Sequence, residues 1–482
     1  MLLGRYTKSS SFAACLVVLL LAVILSGCQI RERSVLRTLS SPAVSSRNMA
    51  RLNVFLTLEE KQGPAIQLEI ADLEVLIDDL WLPLSSEPLT LNSTEIGNGQ
   101  LFLGGGAVPP GQYKGLRLTV TQGMVRTADG QDPVTLAKPQ QVQMTTAKGL
   151  ELLLGDSKTL LFSWDVENSL KPDNTLAPQF FVTGALRNLP VNLVFAACPD
   201  INTVFVVRAD KNWVVDSFGL TGRPTYLGIE PSARPARFYV LTTDEKMVKV
   251  IDSSSFRVID SYPTLNDAAT YMAISPDGQW AYLVHEQSGY LSRMNLRTGQ
   301  IDPRVKLGNQ PNYAVYLEQQ RLLAVSLGLT QTVLLLDPAS LRVVRTISTG
   351  SNPEGLLVSD NVLYVAESGD GSISANDLAN RAAQGQVMVG FGPRRLAEAD
   401  GQIFVSNYKD GSLSILLPGQ LGALQEIYGL GEPFEMVFDD FYRRLYVGDR
   451  RNAGLAVIDT NSNQLLRQIS LGAQPLGLAV IK

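Results

Sequence analysis

The feature that most constrains this chain is a repeat that begins twice and finishes once. Pro433 to Gln474 reads PFEMVFDDFYRRLYVGDRRNAGLAVIDTNSNQLLRQISLGAQ, and at Pro475 the pattern starts again as PLGLAVIK and stops after one strand. The unit is 42 residues long (475 minus 433), a period typical of folds assembled from one supersecondary unit at a time. The missing part lies far upstream. Asn192 to Arg223, NLVFAACPDINTVFVVRADKNWVVDSFGLTGR, has the pattern of LYVGDRRNAGLAVIDTNSNQLLRQISLGAQ. The spacing predicts a ring closed by the two ends of its own chain.

In register, units begin at Pro224, Ala269, Pro311, Pro353, Pro393, Pro433 and Pro475, six complete and one composite. Each holds an apolar run (LGIEP, MAISP, YAVYL), a tight polar turn, and a second run such as FYVLTT, AYLVHE, LLAVSL, LYVAES, IFVSNY or LYVGDR. A third run closes on an acid or amide (VKVID, LSRMN, VLLLD, LAVID), and a short fourth is apolar (RVIDSY, RVVRTI, LLRQI). Runs of five or six residues between Gly, Asp, Asn and Ser turns, with no helical period, predict four-stranded antiparallel sheets. Arranging such sheets radially leaves only short, protected edges. LYVAESGDGSISAND, FYVLTTDEKMVKVID and LYVGDRRNAGLAVID resemble the bacterial YVTN-type β-propeller repeats, and the SPDG turn at Ser275 to Gly278 matches that pattern well. The resemblance implies a seven-bladed propeller over residues 190–482, in a family made mostly of binding and scaffold proteins with scattered enzymes.

Upstream, residues 49–189 carry no such repeat. Leu52, Val54, Leu56 and Leu58 alternate, as do Ile66, Leu68 and Ile70, and Leu116, Leu118 and Val120; several half-buried strands in one segment predict a β-sandwich. VPPGQYKGLRLTV, LLLGDSKTLLFSWDVENSL and PQFFVTGAL resemble an uncharacterised transthyretin-like domain common behind the lipid anchor of bacterial lipoproteins. The expected fold class is therefore all-β, an N-terminal β-sandwich followed by a seven-bladed β-propeller closed by N- and C-terminal strands. Gly104 to Gly106 precede Pro109 and Pro110 with no helix to follow, so the run reads as a loop and not a phosphate cradle.

The first 48 residues read as targeting and spacing. Arg5 and Lys8 precede the apolar run Phe12 to Leu25, too short for a membrane span and suited to a signal peptide over residues 1–27. Leu25-Ser26-Gly27-Cys28 resembles the bacterial lipobox, which implies that Cys28 carries the lipid. Gln29, where an Asp would favour the inner membrane, directs the expectation to the outer membrane, facing periplasm or cell surface. Residues 28–48, rich in Ser and Arg, read as a tether.

Composition removes several functions. With one histidine, three cysteines and a net charge of −5 in 482 residues, the chain has no basic field for nucleic acid and no set of histidines for zinc or haem. Cys15 leaves with the signal and Cys28 takes lipid, so Cys198 remains unpaired.

The repeat register predicts where a site would lie. The starts of the inner strands carry Tyr226, Tyr271, Tyr313, Glu354, Arg394, Arg395 and Glu435. The ends of the second strands carry Thr242, His285, Ser326, Glu367, Asn407 and Asp449, followed by Arg450 and Arg451. Both sets are expected around one channel mouth. The leading expectation is a lipid-anchored envelope protein that binds a protein or glycan there through Tyr226, Tyr271, Tyr313, Glu367, Arg394, Arg395, Asn407, Glu435 and Asp449, with no cofactor. The alternative, from lactonases among the seven-bladed relatives, is a hydrolase in which Glu367, Asn407 and Asp449 hold Ca²⁺ and His285 acts as base. Tyrosines packing between blades and charges solvating a rim are the non-functional reading of the same residues.

Overall fold

The computed structural model describes residues 49–482 apart from 60–62, 127–133, 184–190, 231–236, 266, 309 and 421, with 146–148 described by their backbone only. The expected signal, the tether and Cys28 lie outside the described residues, as does the expected boundary at 189/190.

Seven four-stranded antiparallel sheets succeed one another. Their inner strands are Pro224–Ile229, Tyr271–Ile274, Pro311–Leu317, Pro353–Ser359, Pro393–Ala399, Pro433–Asp439 and Gly477–Ile481, heading blades 1 to 7. Each inner strand touches the next, and the seventh touches the first. The ring is closed by the chain's ends. Gly477–Ile481 pairs with Leu193–Cys198, Phe195 opposite Ala479 and Ala196 opposite Leu478, and Thr203–Arg208 and Trp213–Gly219 complete blade 7.

The acid or amide that closes each third strand has a local task. Asp252 Oδ1 accepts from the backbone N–H groups of Ser254 and Ser255 at 3.2 and 2.8 Å, and Asn295, Asp337, Asp377 and Asp459 cap the same hairpin in their own blades. These Asx turns give the backbone a preset route into the fourth strand.

The sandwich has a sheet ordered Gln179–Thr183, Ser157–Asp165, Ala50–Leu58, Gln100–Val108, the two middle strands being parallel. Its second sheet is built on Ala65–Ile77 and Gly111–Arg126. Leu52, Val54, Leu56, Ile66, Leu68, Ile70, Leu116, Leu118 and Val120 share one buried core, as their alternation predicts. Gly104 to Gly106 do not form a loop: they lie inside strand Gln100–Val108, opposite Leu52 to Val54. Glycine signals a turn in sequence, whereas here it permits close approach; a Cβ on Gly105 would lie 2.8 Å from Asn53 Oδ1.

The strand Ala50–Leu58 is covered on both faces. Phe55 packs with Leu161 and with blade 7 residues Val194, Phe205 and Val207, its ring edge-on to Phe205 at 6.2 Å. Beside it Asn53 Nδ2 donates to the hydroxyls of Ser157 and Ser217 at 3.1 and 3.2 Å, and Thr159 and Thr203 donate to Ser217 and Ser157. The side-chain amide of Gln100 bridges the backbone of Val214, donating to its C=O at 2.9 Å and accepting from its N–H at 2.7 Å. The outer strand of the closing blade thus finds partners in the sandwich, and its edge is blocked.

Candidate functional site

The proline that opens most inner strands is followed by a register shift against the second strand in blades 1, 3, 4, 5 and 6. The residues just after it are carried to one end of the channel. The loops that lead into inner strands and the turns after second strands share this face: Gly350 N donates to Glu367 and Gly431 N to Asp449.

The starts of the inner strands meet there as expected. Tyr226 and Tyr271 have ring centroids 4.3 Å apart, Tyr271 and Tyr313 3.8 Å, and the Tyr226 hydroxyl donates to that of Tyr271 at 3.1 Å. Burial raises all three phenols well above their ordinary values, so they are neutral walls. Arg395 lies over Tyr313 and Phe434, 4.9 and 4.6 Å from the centroids. Its Nε is 3.3 Å from Glu435 Oε2 and its Nη1 3.8 Å from Glu354 Oε2. Burial alone would lower the Arg395 pKa, but Glu435, Tyr313 and Glu354 outweigh it and the guanidinium stays charged. For Glu435 burial raises the carboxyl against the pull of Arg395.

Above this buried group is a cavity of 330 Å³ lined by Tyr226, Tyr271, Glu286, Gln310, Asn312, Asn352, Glu354, Arg394, Arg395, Phe434 and Glu435 among others. Arg394 is partly exposed, 3.6 Å from Glu354 and 4.7 Å from the centroid of Tyr408. Arg450 donates to the Tyr408 hydroxyl, which donates to Glu432. Tyr408, Phe434 and the amides of Gln310, Asn312 and Asn352 were missed by sequence reasoning, which followed one position per blade. Phe434, immediately after Pro433, and Asn312, immediately after Pro311, hold the position that Arg394 holds after Pro393 and were legible from it.

The ends of the second strands do something else. Glu367, Asn407 and Asp449 are fully buried, and each works within its own blade. Glu367 accepts from Gly350 N, Ser372 and Gln386; Asn407 donates to Ser412 and Ser414; Asp449 accepts from Gly431 N, Glu432 N and Asn452. No hydrogen bond or ion pair joins any two of them, none lines the 330 Å³ cavity, and among the described residues no group of three His, Cys, Asp or Glu could hold a metal. The three lie at the mouth-face ends of their strands but outside this cavity, each hydrogen-bonded in its own blade: an acid at a strand end looks the same in sequence whether it binds a ligand or ties down the preceding loop. A Cβ on Gly390 would lie 2.6 Å from Asn407 Nδ2, so the loop glycine leaves room for the buried amide.

His285 repeats this arrangement with different atoms. Its Nε2 is 2.9 Å from Ser292 Oγ and its Nδ1 3.3 Å from Asp267 Oδ2, which Arg304 also pairs at 2.7 Å. The order Ser, His, Asp resembles a catalytic triad, but His285 and Ser292 have no exposed surface. Burial lowers the imidazole's pKa, opposed by Asp267. Without access to a substrate the histidine is a tie within blade 2, and the expected base is not presented at the mouth. Cys198 is likewise fully buried, its thiol pushed far up by burial, and so inert.

A larger cavity of 760 Å³ lies between the sandwich and blades 6 and 7, lined by Asn98, Lys211, Trp213, Arg444 and Arg467 among others. Its polar groups are engaged: Trp213 and Arg467 both donate to Asn98 O, and Arg444 to Ala209 O.

No protein-family pattern matches this chain, and no curated protein matches it in sequence. The fold has many solved counterparts. A functionally unknown protein from Desulfotomaculum acetoxidans DSM 771 is similar at 12% identity, over 60% of this chain and 98% of that one, with a TM-score of 0.54. A putative 6-phosphogluconolactonase from Bacteroides fragilis NCTC 9343 is similar at 13% identity, over 61% and 99%, with a TM-score of 0.52. Dihydro-heme d1 dehydrogenase NirN, in complex with DHE, shares 14% identity over 59% of this chain at a TM-score of 0.47, and the match spans 65% of its length. At these identities the likeness is one of fold. The chain is a β-propeller protein with an appended sandwich.

Proposed function

We propose that this protein is an exported binding module of a bacterial cell envelope, anchored through a lipid on Cys28, whose propeller mouth recognises a polar envelope ligand rich in hydroxyl or amide groups, a glycan before all. The observation that carries the reading is the mouth cavity, where the partly exposed Arg394 and the amides of Gln310, Asn312 and Asn352 stand beside Tyr226, Tyr271 and Phe434. Aromatic faces with a few directed polar groups are the ordinary composition of a small-ligand site. The YVTN-type character of the repeats supports a binding role, and the lipobox-like Leu25 to Cys28 supports the location. The hydrolase alternative draws support from the likeness in fold to a putative 6-phosphogluconolactonase; the binding reading is preferred because Glu367, Asn407 and Asp449 each hydrogen-bond within a separate blade.

Titration calorimetry of the protein with soluble peptidoglycan fragments tests the reading. Binding that Arg394→Ala weakens about tenfold or more, with an unchanged melting temperature, supports it. Equal binding by the variant, or none by the parent, sinks the mouth as a glycan site.

A further inference from the structure

The described chain begins on the same face as the mouth. Met49 O accepts from Gly155 N at 3.2 Å, in the turn between strands Gln140–Leu152 and Ser157–Asp165. A Cβ on Gly155 would lie 3.7 Å from Thr221, and one on Gly219 would strike Gly155 O. Gly219 ends the outer strand of blade 7, and Thr221 is in the loop that leads into blade 1. This turn therefore abuts the loops of the mouth face.

Its tip is apolar and exposed. Leu153 and Leu154 are 59% and 58% accessible. Leu265, Leu329, Phe391 and Tyr428 are exposed on other loops of the same face, placed there by bonds from Thr264 N to Lys246 O, Gly328 N to Gln310 O, Lys409 N to Phe391 O and Leu430 N to Gly411 O. The opposite propeller face carries one such loop residue among those described, Phe441; the other exposed apolar side chains of the blades, such as Ile259, Val344 and Leu466, are on outer strands around the rim.

We infer that the mouth face lies against the bilayer, its apolar loops touching lipid, so that the cavity takes ligands held at the membrane surface. The inference rests on the lipid anchor at Cys28. From Cys28 to Met49 the chain has 21 steps (49 minus 28). Met49, where the described body begins, is on the mouth face, so the face nearest the attachment is also the one that carries the exposed apolar loops. Apolar side chains at the headgroup boundary then lose water contact, which favours this orientation over one that lifts the leucines away.

The test uses the full-length acylated protein in phosphatidylethanolamine and phosphatidylglycerol vesicles containing a headgroup quencher. A fluorophore is placed by Leu154→Cys, Phe391→Cys or Phe441→Cys; Cys198 is buried and does not compete. Quenching at positions 154 and 391 about threefold or more above that at 441 is expected, and Leu153→Ser with Leu154→Ser should reduce the contrast without releasing the protein. Equal quenching at all three positions overturns the orientation while leaving the anchor intact. So does a mouth face that is unquenched in vesicles but shielded from labelling in envelopes, which would mean that a protein covers it. An unacylated Cys28 in the mass of the N-terminal peptide overturns the anchor reading instead, and the inference with it.

Discussion

Arg395 Nε and Glu435 Oε2 are 3.3 Å apart at the mouth of the channel, where both side chains are about nine-tenths buried. Glu354 faces the same guanidinium from blade 4, so one fixed cation sits between two carboxylates. Adjacent in sequence, Arg394 and Arg395 therefore have different physical roles. Arg394 is available at the cavity wall, and Arg395 holds the wall together.

That difference is measurable. Arg395→Met leaves Glu354 and Glu435 without their shared counter-charge and should destabilise the fold by about 3–5 kcal/mol, with part of the loss recovered when Glu435→Gln is added. Arg394→Ala should cost no more than about 1 kcal/mol. Chemical denaturation of the four proteins checks this; equal losses for the two arginine variants would contradict the assignment.

The carboxylates at the ends of the second strands should behave as ties and not as metal ligands. Asp449→Ala removes acceptors from Gly431 N and Glu432 N and should cost about 2–3 kcal/mol. Neither Ca²⁺ nor a chelator should move the melting temperature of the parent. A Ca²⁺-dependent rise that Asp449→Asn abolishes would restore the metal site.

Joined by Asn53, Phe55, Gln100 and Ser217, the sandwich and propeller should unfold in one transition. Asn53→Ala removes one donor from each of the buried hydroxyls of Ser157 and Ser217 and should lower stability by about 1–3 kcal/mol. Intrinsic fluorescence and circular dichroism followed through the same denaturant series should coincide in the parent; two separated transitions would show that the contact couples little.

Acid should loosen the hairpins first. Hydrogen bonds from Ser254 and Ser255 pull the Asp252 carboxyl down to about 2, and similar bonds lower Asp337, Asp377 and Asp459. An acid with a depressed folded pKa adds stability above its unfolded value of about 3.9, lost as pH falls through the folded one. Asp252→Asn keeps the acceptor but not the titration, as Asn295 does natively in blade 2. Its melting temperature should therefore fall less than the parent's between about pH 4 and pH 2.

Removing Pro475 to Lys482 should abolish cooperative melting, because Leu193–Cys198 and the inner strand of blade 6 would lose their partner. A truncated chain that melts like the parent would mean that the ring does not depend on this strand.

Blade count, register and closure were legible because proline, turn residues and apolar runs recur together. The mouth was legible in part: Tyr226, Tyr271, Tyr313, Arg394, Arg395 and Glu435 follow from the first two positions after each blade-opening residue, where Asn312 also stands, while Tyr408 directly follows a second strand and Asn352 lies in the loop before Pro353. Glu367, Asn407 and Asp449 could not be sorted from sequence, because capping and ligation need the same oxygens. The burial of Asn53 was not legible, since the alternation of Leu52, Val54 and Leu56 marks one buried side and says nothing about a second covering; the apolar Phe55 on that second side was the signal available.

A ring that needs its final five-residue strand, Gly477–Ile481, imposes an order in time. During synthesis the sandwich and the strands from Leu193 to Gly219 are made first, yet blade 7 must wait with its inner edge unpaired until Gly477, 258 residues on (477 minus 219), has been added. Until the last of them is free, the growing chain presents two open sheet edges to its surroundings. Whatever protects a nascent chain must therefore attend this one until Gly477–Ile481 has emerged.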